Sequence, residues 1–284
     1  MSSIATVTVA GVGLIGGSFA LALRRIGYSG RILGVSSPET LEVAAGLGVI
    51  DDGCGLETAL PQSDLVYMAQ PVERIIDQLD QVRKLVPKHA LVTDAGSTKG
   101  AIMERARTLF EDGPHFVGGH PMAGKEGRGV RVAEAELFQG ALYALVPTGE
   151  ALPESPVVEE FCGWLDAMEC RRRVMQASQH DRVVAWTSHL PQLVSTALAA
   201  AIGTQLQDGR ELEIAGDGLR DMTRLAASPH AVWSGILKTN PGPIDEALAA
   251  VVQELEGLRD ALNDGSAEEP FQRGQRLQGR ISNR

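Results

Sequence analysis

Residues 4–16 read IATVTVAGVGLIG. The alternation of β-branched and small residues predicts a buried strand, and the G-x-G-x-x-G that follows it is typical of a tight turn opening a helix. In this motif the first glycine allows the turn, the second lets backbone approach a pyrophosphate, and the third lets the helix pack on the strand. The helix N-terminus offers N–H groups and a positive dipole end to phosphate. We therefore expect dinucleotide binding at Gly11, Gly13, Leu14, Ile15 and Gly16, the alternative being a turn that serves only packing.

The segments after this turn alternate between strand and helix. Apolar runs predict strands at residues 31–35, 65–69, 91–93, 116–117 and 142–146, and a further α-β unit is expected at 157–168 and 172–176. Such alternation is typical of a parallel sheet covered by helices. From residue 178 onward only helical signals occur. The predicted fold is a Rossmann doubly wound parallel sheet over residues 1–176 followed by an all-helical domain over residues 177–284.

Composition limits the classes of partner. The 284 residues carry a formal net charge of −10, which argues against nucleic acid or an anionic membrane as a main partner. No apolar run approaches the ~18–20 residues of a membrane helix, and the N-terminus lacks a basic leader. Three cysteines, an odd number without a C-x-x-C pair, indicate reduced thiols and a cytoplasmic protein.

The end of the second predicted strand bears on the choice of cofactor. An acid about 20 residues past the glycines would bind the ribose 2′-hydroxyl of NAD. Here the strand ends in Ser36 and Ser37, and the first acid is Glu39. Two hydroxyls without a carboxylate favour the 2′-phosphate of NADP and leave NAD open.

Two loops follow predicted strands at the edge where ligands bind in this architecture. Residues 94–99 read DAGSTK, and residues 118–124 read GGHPMAG. Ser97 and His120 are the candidates for chemistry, since a histidine titrates near neutrality and suits proton transfer. The alternatives are a helix N-cap by Ser97 or Thr98 and a structural loop histidine.

The helical part carries further candidates. His180 and His189 are nine residues apart and would face different sides of a straight helix. Arg220 and Arg224 would share a helix face, and arginine holds carboxylates through two parallel hydrogen bonds. A surface ion-pair patch is the alternative for the arginines. Because no cluster has metal-ligand spacing, we expect no metal.

Five motifs together resemble one known family. They read VAGVGLIGGS, DAGSTK, GGHPMAG, HDRVVAWTSHLPQ and GLRDMTRLA, and they run in order from about residue 9 to residue 233. In this the chain is similar to the prephenate/arogenate dehydrogenase family, which includes cyclohexadienyl dehydrogenases. The resemblance implies a helical dimerisation domain, a homodimer, and a site in the cleft between the domains. It also implies oxidative decarboxylation of prephenate or arogenate with hydride transfer to NAD(P), in tyrosine biosynthesis.

The resemblance also implies roles for particular residues. His120 would bond the substrate's ring hydroxyl as the catalytic histidine, with Ser97 as its partner. His189 and Arg224 would bind the substrate, Arg224 as the carboxylate clamp, and Trp233 would help to close the pocket. Beside His189, Gln192 is our candidate for sensing the keto or amino side chain. The absence of an acid there favours prephenate or dual use over arogenate alone.

The C-terminal part of the chain bears on regulation and on the competing interpretations. We expect no room for a regulatory ACT domain or a fused chorismate mutase, so tyrosine feedback would act at the active site itself. The competing interpretations are a β-hydroxyacid dehydrogenase or imine reductase, and a non-enzymatic NADP-binding regulator. Hydroxyacid enzymes rely on a lysine in the long interdomain helix, whereas the one lysine after residue 150 here is Lys238. A regulator would not need His120, Ser97 and Arg224 together.

Overall fold

The computed structural model describes residues 3–282. In this part of the chain a single eight-stranded sheet has the order β3-β2-β1-β4-β5-β6-β7-β8. Every neighbouring pair is parallel except β6 and β7. The strands are β1 Thr6–Ala10, β2 Arg31–Val35, β3 Asp52–Gly53, β4 Leu65–Met68, β5 Leu91–Asp94, β6 His115–Pro121, β7 Leu142–Pro147 and β8 Arg171–Val174.

Helices separate most of the strands and form the rest of the described chain. Those that accompany the strands are α1 Leu14–Arg25, α2 Pro38–Gly46, α3 Leu56–Ala59, α4 Val72–Leu85, α5 Gly100–Leu109 and α6 Pro156–Ala167. The later ones are α7 Ala177–Val184, α8 Leu190–Gln205, α9 Asp217–Thr223, α10 His230–Thr239, α11 Pro241–Asp264 and α12 Glu268–Ser282. A π-helical turn, Ala185–His189, precedes α8, and a 3-10 turn, Arg224–Ala227, follows α9. From Ala177 onward all regular structure of the described residues is helical, as predicted.

The sheet is covered on both faces because its central strands are apolar throughout. In β4, Leu65 and Tyr67 pack into one core cluster and Val66 and Met68 into another. This is the period of two that a strand imposes on its side chains. The first cluster includes side chains of α1 and α6, and the second includes side chains of α4 and α5. The predicted doubly wound architecture is confirmed.

One strand departs from a purely parallel sheet. β7 runs antiparallel to β6, with Gly119 opposite Leu145. Residues 122–141, which connect the two strands, contain a short 3-10 turn but no α-helix. Parallel neighbours need a long crossover connection, usually helical, whereas a chain that turns back directly gives an antiparallel pair. The two-residue β3 was not predicted, since it is too short for an apolar pattern.

The chain forms two compact units. The sheet unit contains the residues up to Val184 together with Ser228–Asn240, and the helical unit contains Ala185–Ala227 and the residues from Pro241 onward. The predicted domains, 1–176 and 177–284, differ from these units in residues 177–184 and 228–240. Side chains of both segments bond to the sheet unit: Asp181 of α7 accepts from the backbone N–H of Gly100 at 2.7 Å, and Lys238 of α10 pairs with Glu73 at 2.8 Å.

None of the helices within residues 3–282 is both long enough and apolar enough to cross a membrane.

Candidate active site

The three glycines of the turn differ in the space around them. Gly11 has φ +97°, and a Cβ there would lie 2.5 Å from the carbonyl oxygen of Ala69. A Cβ at Gly16 would lie 2.1 Å from the carbonyl oxygen of Gly11, so no side chain fits between α1 and the turn. Nothing lies within 4 Å of the same position at Gly13. The open side of the turn is therefore at Gly13, where an approaching ligand can reach backbone at the start of α1.

A cleft of about 250 Å³ lies beside this turn. Besides the turn, its lining includes Ser36, Ser37, Thr40, Gln70 and Arg74. The side-chain amide oxygen of Gln70, Oε1, is buried without a hydrogen-bond partner among the described residues. This arrangement fits a dinucleotide, because its hydroxyls can donate to the orphaned oxygen and its phosphates can accept from the backbone N–H groups at the start of α1. Arg74 cannot be identified from the sequence, because α4 follows β4 and lies far along the chain from Ser36.

The hydroxyl and carboxylate at the start of α2 are linked to each other. Ser37 caps α2, since its oxygen accepts from the backbone N–H of Thr40 at 3.4 Å. A hydrogen bond from its own backbone and one from Ser37 lower the pKa of the Glu39 carboxyl. Glu39 therefore stays ionised close to Ser37.

A buried ion pair ties the loop after β5 to β6. Asp94 and Lys99 are fully buried and hydrogen-bonded to each other. Asp94 also accepts from the backbone N–H groups of Gly96 at 2.8 Å and Gly119 at 3.2 Å, and the Lys99 ammonium donates to the Gly119 carbonyl at 2.7 Å. Burial lowers the pKa of Lys99, and the nearby Asp94 carboxylate opposes that shift. The pair fixes the strand position directly before His120.

Glycine at position 119 is required by this close approach. A Cβ there would lie 2.3 Å from the backbone oxygen of Asp94. Gly119 thus admits the end of the neighbouring strand β5. Its role is to bring His120 beside the loop that carries Ser97.

The N-terminus of α5 is capped by a distant residue. Lys99 at the cap position makes no side-chain cap, and Thr98 exchanges a 2.6 Å hydrogen bond with Thr239. The Asp181 carboxylate instead accepts from the backbone N–H groups of Lys99 and Gly100, both at 2.7 Å. Capping by Ser97 or Thr98, the alternative raised by the sequence, is therefore wrong. Ser97 is half-buried in the loop before the helix.

His120 is joined to a second histidine. Its Nδ1 lies 2.9 Å from Nε2 of His180, and Nδ1 of His180 lies 2.8 Å from Oδ1 of Asp181. No role for His180 follows from the sequence, because 60 residues separate it from His120 and no pattern predicts that α7 packs beside β6.

The remaining candidates lie in both units. Trp233 belongs to the sheet unit and donates from Nε1 to Ser228 Oγ at 3.0 Å. His189 and Gln192 are buried in the helical unit. Gln192 donates to the backbone oxygen of Leu225 at 2.8 Å, which holds the turn that begins with Arg224 against α8.

Arg224 is the first residue past a helix. α9 ends at Thr223, so the helix that would place Arg220 and Arg224 on one face stops before Arg224. Arg220 pairs with Asp217 at 3.4 Å, and both side chains are largely exposed. Arg224 is exposed as well, but it begins the turn that Gln192 holds against α8, whereas Arg220 lies within α9. Arg220 is therefore a matched control for Arg224.

Among the side chains that the structure describes, no three His, Cys, Asp or Glu residues are grouped so that they could hold a metal ion.

Comparison with known families settles what this arrangement belongs to. Residues 19–161 match the model of the prephenate dehydrogenase nucleotide-binding domain, and residues 176–274 match that of the prephenate dehydrogenase dimerization domain. The chain belongs to the prephenate dehydrogenase family. The predicted resemblance is confirmed, and the glycine turn lies just before the first matched residue.

Individual relatives within the family span both substrates. Prephenate dehydrogenase of Bacillus subtilis is 33% identical over 274 residues, which are 94% of this chain and 72% of the relative. The structure of prephenate dehydrogenase from Aquifex aeolicus, in complex with hydroxyphenyl propionate and NAD+, has a TM-score of 0.88 and 27% identity, covering 100% of this chain and 98% of that one. The structure of Synechocystis arogenate dehydrogenase has a TM-score of 0.81 and 30% identity, covering 98% of this chain and 99% of that one.

Proposed function

We propose that this enzyme oxidatively decarboxylates prephenate, arogenate or both, with hydride transfer to a nicotinamide cofactor, in the last steps toward tyrosine. The observation that carries the proposal is the position of His120. β1, β4, β5 and β6 are parallel neighbours, so the glycine turn, the Ser97 loop and His120 share the carboxyl edge of one sheet. With strands ~4.8 Å apart, β1 and β6 are roughly 14 Å from each other, a distance that a dinucleotide spans.

The chain's own residues account for the proton in this reaction. His120 accepts the proton of the substrate's ring hydroxyl, and the Ser97 hydroxyl holds the same oxygen. A bound nicotinamide would accept the hydride from the ring carbon that bears this hydroxyl. The ring carboxylate leaves as CO2, and the electron pair of the broken C–C bond completes the aromatic ring. His120 then returns its proton to the phenolic oxygen, and such proton transfer contributes ~10²–10⁴-fold to the rate.

Substrate recognition falls to the helical unit in this proposal. Arg224 pairs with a substrate carboxylate, and His189 lies on the substrate side of α8. Gln192 positions the Arg224 turn through Leu225 and is a neutral amide, so it offers an ammonium group no charge. On that ground we propose prephenate, or both substrates, rather than arogenate alone. Trp233, a residue of the sheet unit, is proposed as a further substrate contact.

For the cofactor we propose a preference for NADP over NAD. Arg74 and the hydroxyls of Ser36, Ser37 and Thr40 line the same cleft. An arginine and hydroxyls at a helix N-terminus suit the 2′-phosphate. Glu39 argues against this preference, because its ionised carboxylate near Ser37 would favour the ribose 2′-hydroxyl of NAD over the 2′-phosphate of NADP.

For assembly we propose a homodimer formed by the helical unit. α11 and α12 expose large apolar side chains, namely Val252, Leu255, Leu262, Phe271, Leu277 and Ile281. The three on α11 recur at helical spacing and lie on one face. Large apolar side chains exposed together on one helix face favour an interaction site there. The cysteines at 54, 162 and 170 are free thiols, which fits our proposal of the reducing cytoplasm.

One assay tests the activity and both preferences. We would measure kcat/KM for prephenate and arogenate, each with NAD+ and NADP+, following the reduced cofactor. The expected result is turnover of prephenate, faster with NADP+. Oxidation of a 3-hydroxy acid in place of both would favour the hydroxyacid dehydrogenase alternative. Cofactor binding without turnover of any substrate would favour the regulator.

A further inference from the structure

We propose that Asp181 and His180 are positioning residues that set the tautomer of His120, so that its basic lone pair lies on Nε2. The inference rests on the proposed role of His120 as the proton acceptor. It concerns two residues of α7 for which the sequence predicted no role in catalysis.

The chain of hydrogen bonds from His120 through His180 ends at the carboxylate of Asp181. Asp181 takes N–H groups from Lys99, Gly100 and His180 within 2.7–2.8 Å. An ionised carboxylate only accepts hydrogen bonds, and the N-terminus of α5 stabilises its negative charge. Nδ1 of His180 must therefore carry a hydrogen.

The hydrogen on Nδ1 of His180 also decides which nitrogen of His120 donates. In a neutral imidazole one nitrogen donates and the other accepts. With Nδ1 donating to Asp181, the Nε2 of His180 is the acceptor, and the 2.9 Å contact requires His120 to donate from its own Nδ1. The lone pair of neutral His120 is then on Nε2. In the opposite tautomer Nε2 would carry a hydrogen and could not take a proton from the substrate.

The surrounding structure holds His180 and Asp181 in this geometry. His180 and Asp181 are 2% and 4% exposed. The buried Asn240, directly after α10, donates to the backbone oxygen of Asp181 at 2.9 Å. His120 of β6 and the backbone at the start of α5 therefore bond to the side chains of His180 and Asp181, while Asn240 holds the backbone of Asp181. This is more than the capping of one helix requires.

The matched variants are His180→Gln and His180→Leu. A glutamine amide can donate to Asp181 from nitrogen and accept from His120 Nδ1 at oxygen, which preserves the direction of both hydrogen bonds. Leucine can do neither, while Asp181 still caps α5 in both variants. We expect His180→Leu to lower kcat by about 10²-fold with little change in the KM for prephenate, and His180→Gln to retain most of the activity. Equal losses in the two variants, or a loss expressed only in KM, would overturn the proposal.

A spectroscopic measurement reads the tautomer without any substrate. Long-range ¹H–¹⁵N correlation spectra of the full-length protein with ¹⁵N-labelled histidine distinguish protonation at Nδ1 from protonation at Nε2, and His120→Asn assigns the signal. We expect His120 protonated at Nδ1 in the wild type, and protonation shifted toward Nε2 in Asp181→Asn, whose amide can donate to His180. Protonation of wild-type His120 at Nε2 would refute the inference even if prephenate is turned over. Conversely, an Nδ1–H signal without any turnover would refute the proposed function alone.

Discussion

At the scale of single residues, we expect turnover to depend most on His120. We expect His120→Asn to lower kcat by ~10²–10⁴-fold, because asparagine cannot accept the hydroxyl proton. The affinity for NADPH should be unchanged, since the glycine turn and the cleft are built from other strands. Steady-state kinetics and a fluorescence titration measure the two effects. His89→Asn is the control, as His89 is 64% exposed and pairs with Asp64; an equal loss of NADPH affinity in His120→Asn would mean that His120 supports the fold.

Arg224 should act on substrate binding. Removing a charge-assisted hydrogen bond costs ~1.5–3 kcal/mol, so Arg224→Ala should raise the KM for prephenate by roughly 10- to 100-fold. The KM for the cofactor should not change. Arg220→Ala removes an equal charge one turn earlier, from an exposed pair with Asp217, and should leave both constants as they are. If Arg224→Ala behaved like Arg220→Ala, the clamp role would be wrong.

Arg74 should separate the two cofactors. Arg74→Ala removes the cation of the cleft, so kcat/KM with NADP+ should fall about 10-fold or more while the value with NAD+ stays constant. Lys84→Ala, on the same helix but outside the cleft lining, is the matched control. Equal losses with NAD+ and NADP+ would show that Arg74 does not bind the 2′-phosphate.

The residues that the sequence identified and those that it missed differ in one respect. The glycine turn and the His120 motif are local, since each combines a strand end with residues directly after it. Arg74 and His180 acquire their settings only from neighbours distant in sequence. Sequence patterns carry no information on which helix packs beside which strand end, so these residues looked like ordinary surface or capping groups.

At the scale of elements, the buried Lys99–Asp94 pair joins the β5–α5 loop to β6. Lys99→Met should lower the free energy of unfolding by ~3–5 kcal/mol, because it leaves the Asp94 carboxylate buried without its counter-ion. Urea unfolding at neutral pH measures the change. The double variant Lys99→Met/Asp94→Asn should recover part of the loss. Lys238→Met, which removes an exposed pair with Glu73, should change stability by less than about 1 kcal/mol; a similar value for Lys99→Met would show that the buried pair is not needed for stability.

The same scale shows how far the elements follow from the sequence. The strands with buried apolar runs were predicted to within a few residues, because burial on both faces leaves a continuous signal. The antiparallel direction of β7 was not predicted, since direction depends on the connection and not on the strand's own residues. The return of α10 to the sheet unit was also missed: its contacts, such as Thr239 with Thr98, are polar and make no pattern along the chain.

At the scale of the whole molecule, the chain distributes the proposed tasks over two units. Cofactor binding and proton transfer are proposed for the sheet unit, and substrate recognition for the helical unit. The sheet unit carries its own buried core on both faces of the sheet. The helical unit instead leaves large apolar side chains exposed along its last two helices, so a second copy of the chain is the partner that the proposal requires.

This gives the prediction on assembly. Leu255 and Leu262 are 59% and 80% exposed on one face of α11, and we expect the double change to Glu to convert a dimer into a monomer. Two buried carboxylates per subunit without partners would outweigh the apolar area gained on association. Light scattering after size exclusion measures the mass of the assembly. Ile214→Glu places the same charge on a side chain that is 92% exposed but outside α11 and α12, and should leave the dimer intact. A wild-type mass of one chain would refute the dimer, and a monomeric Ile214→Glu variant would move the interface away from α11.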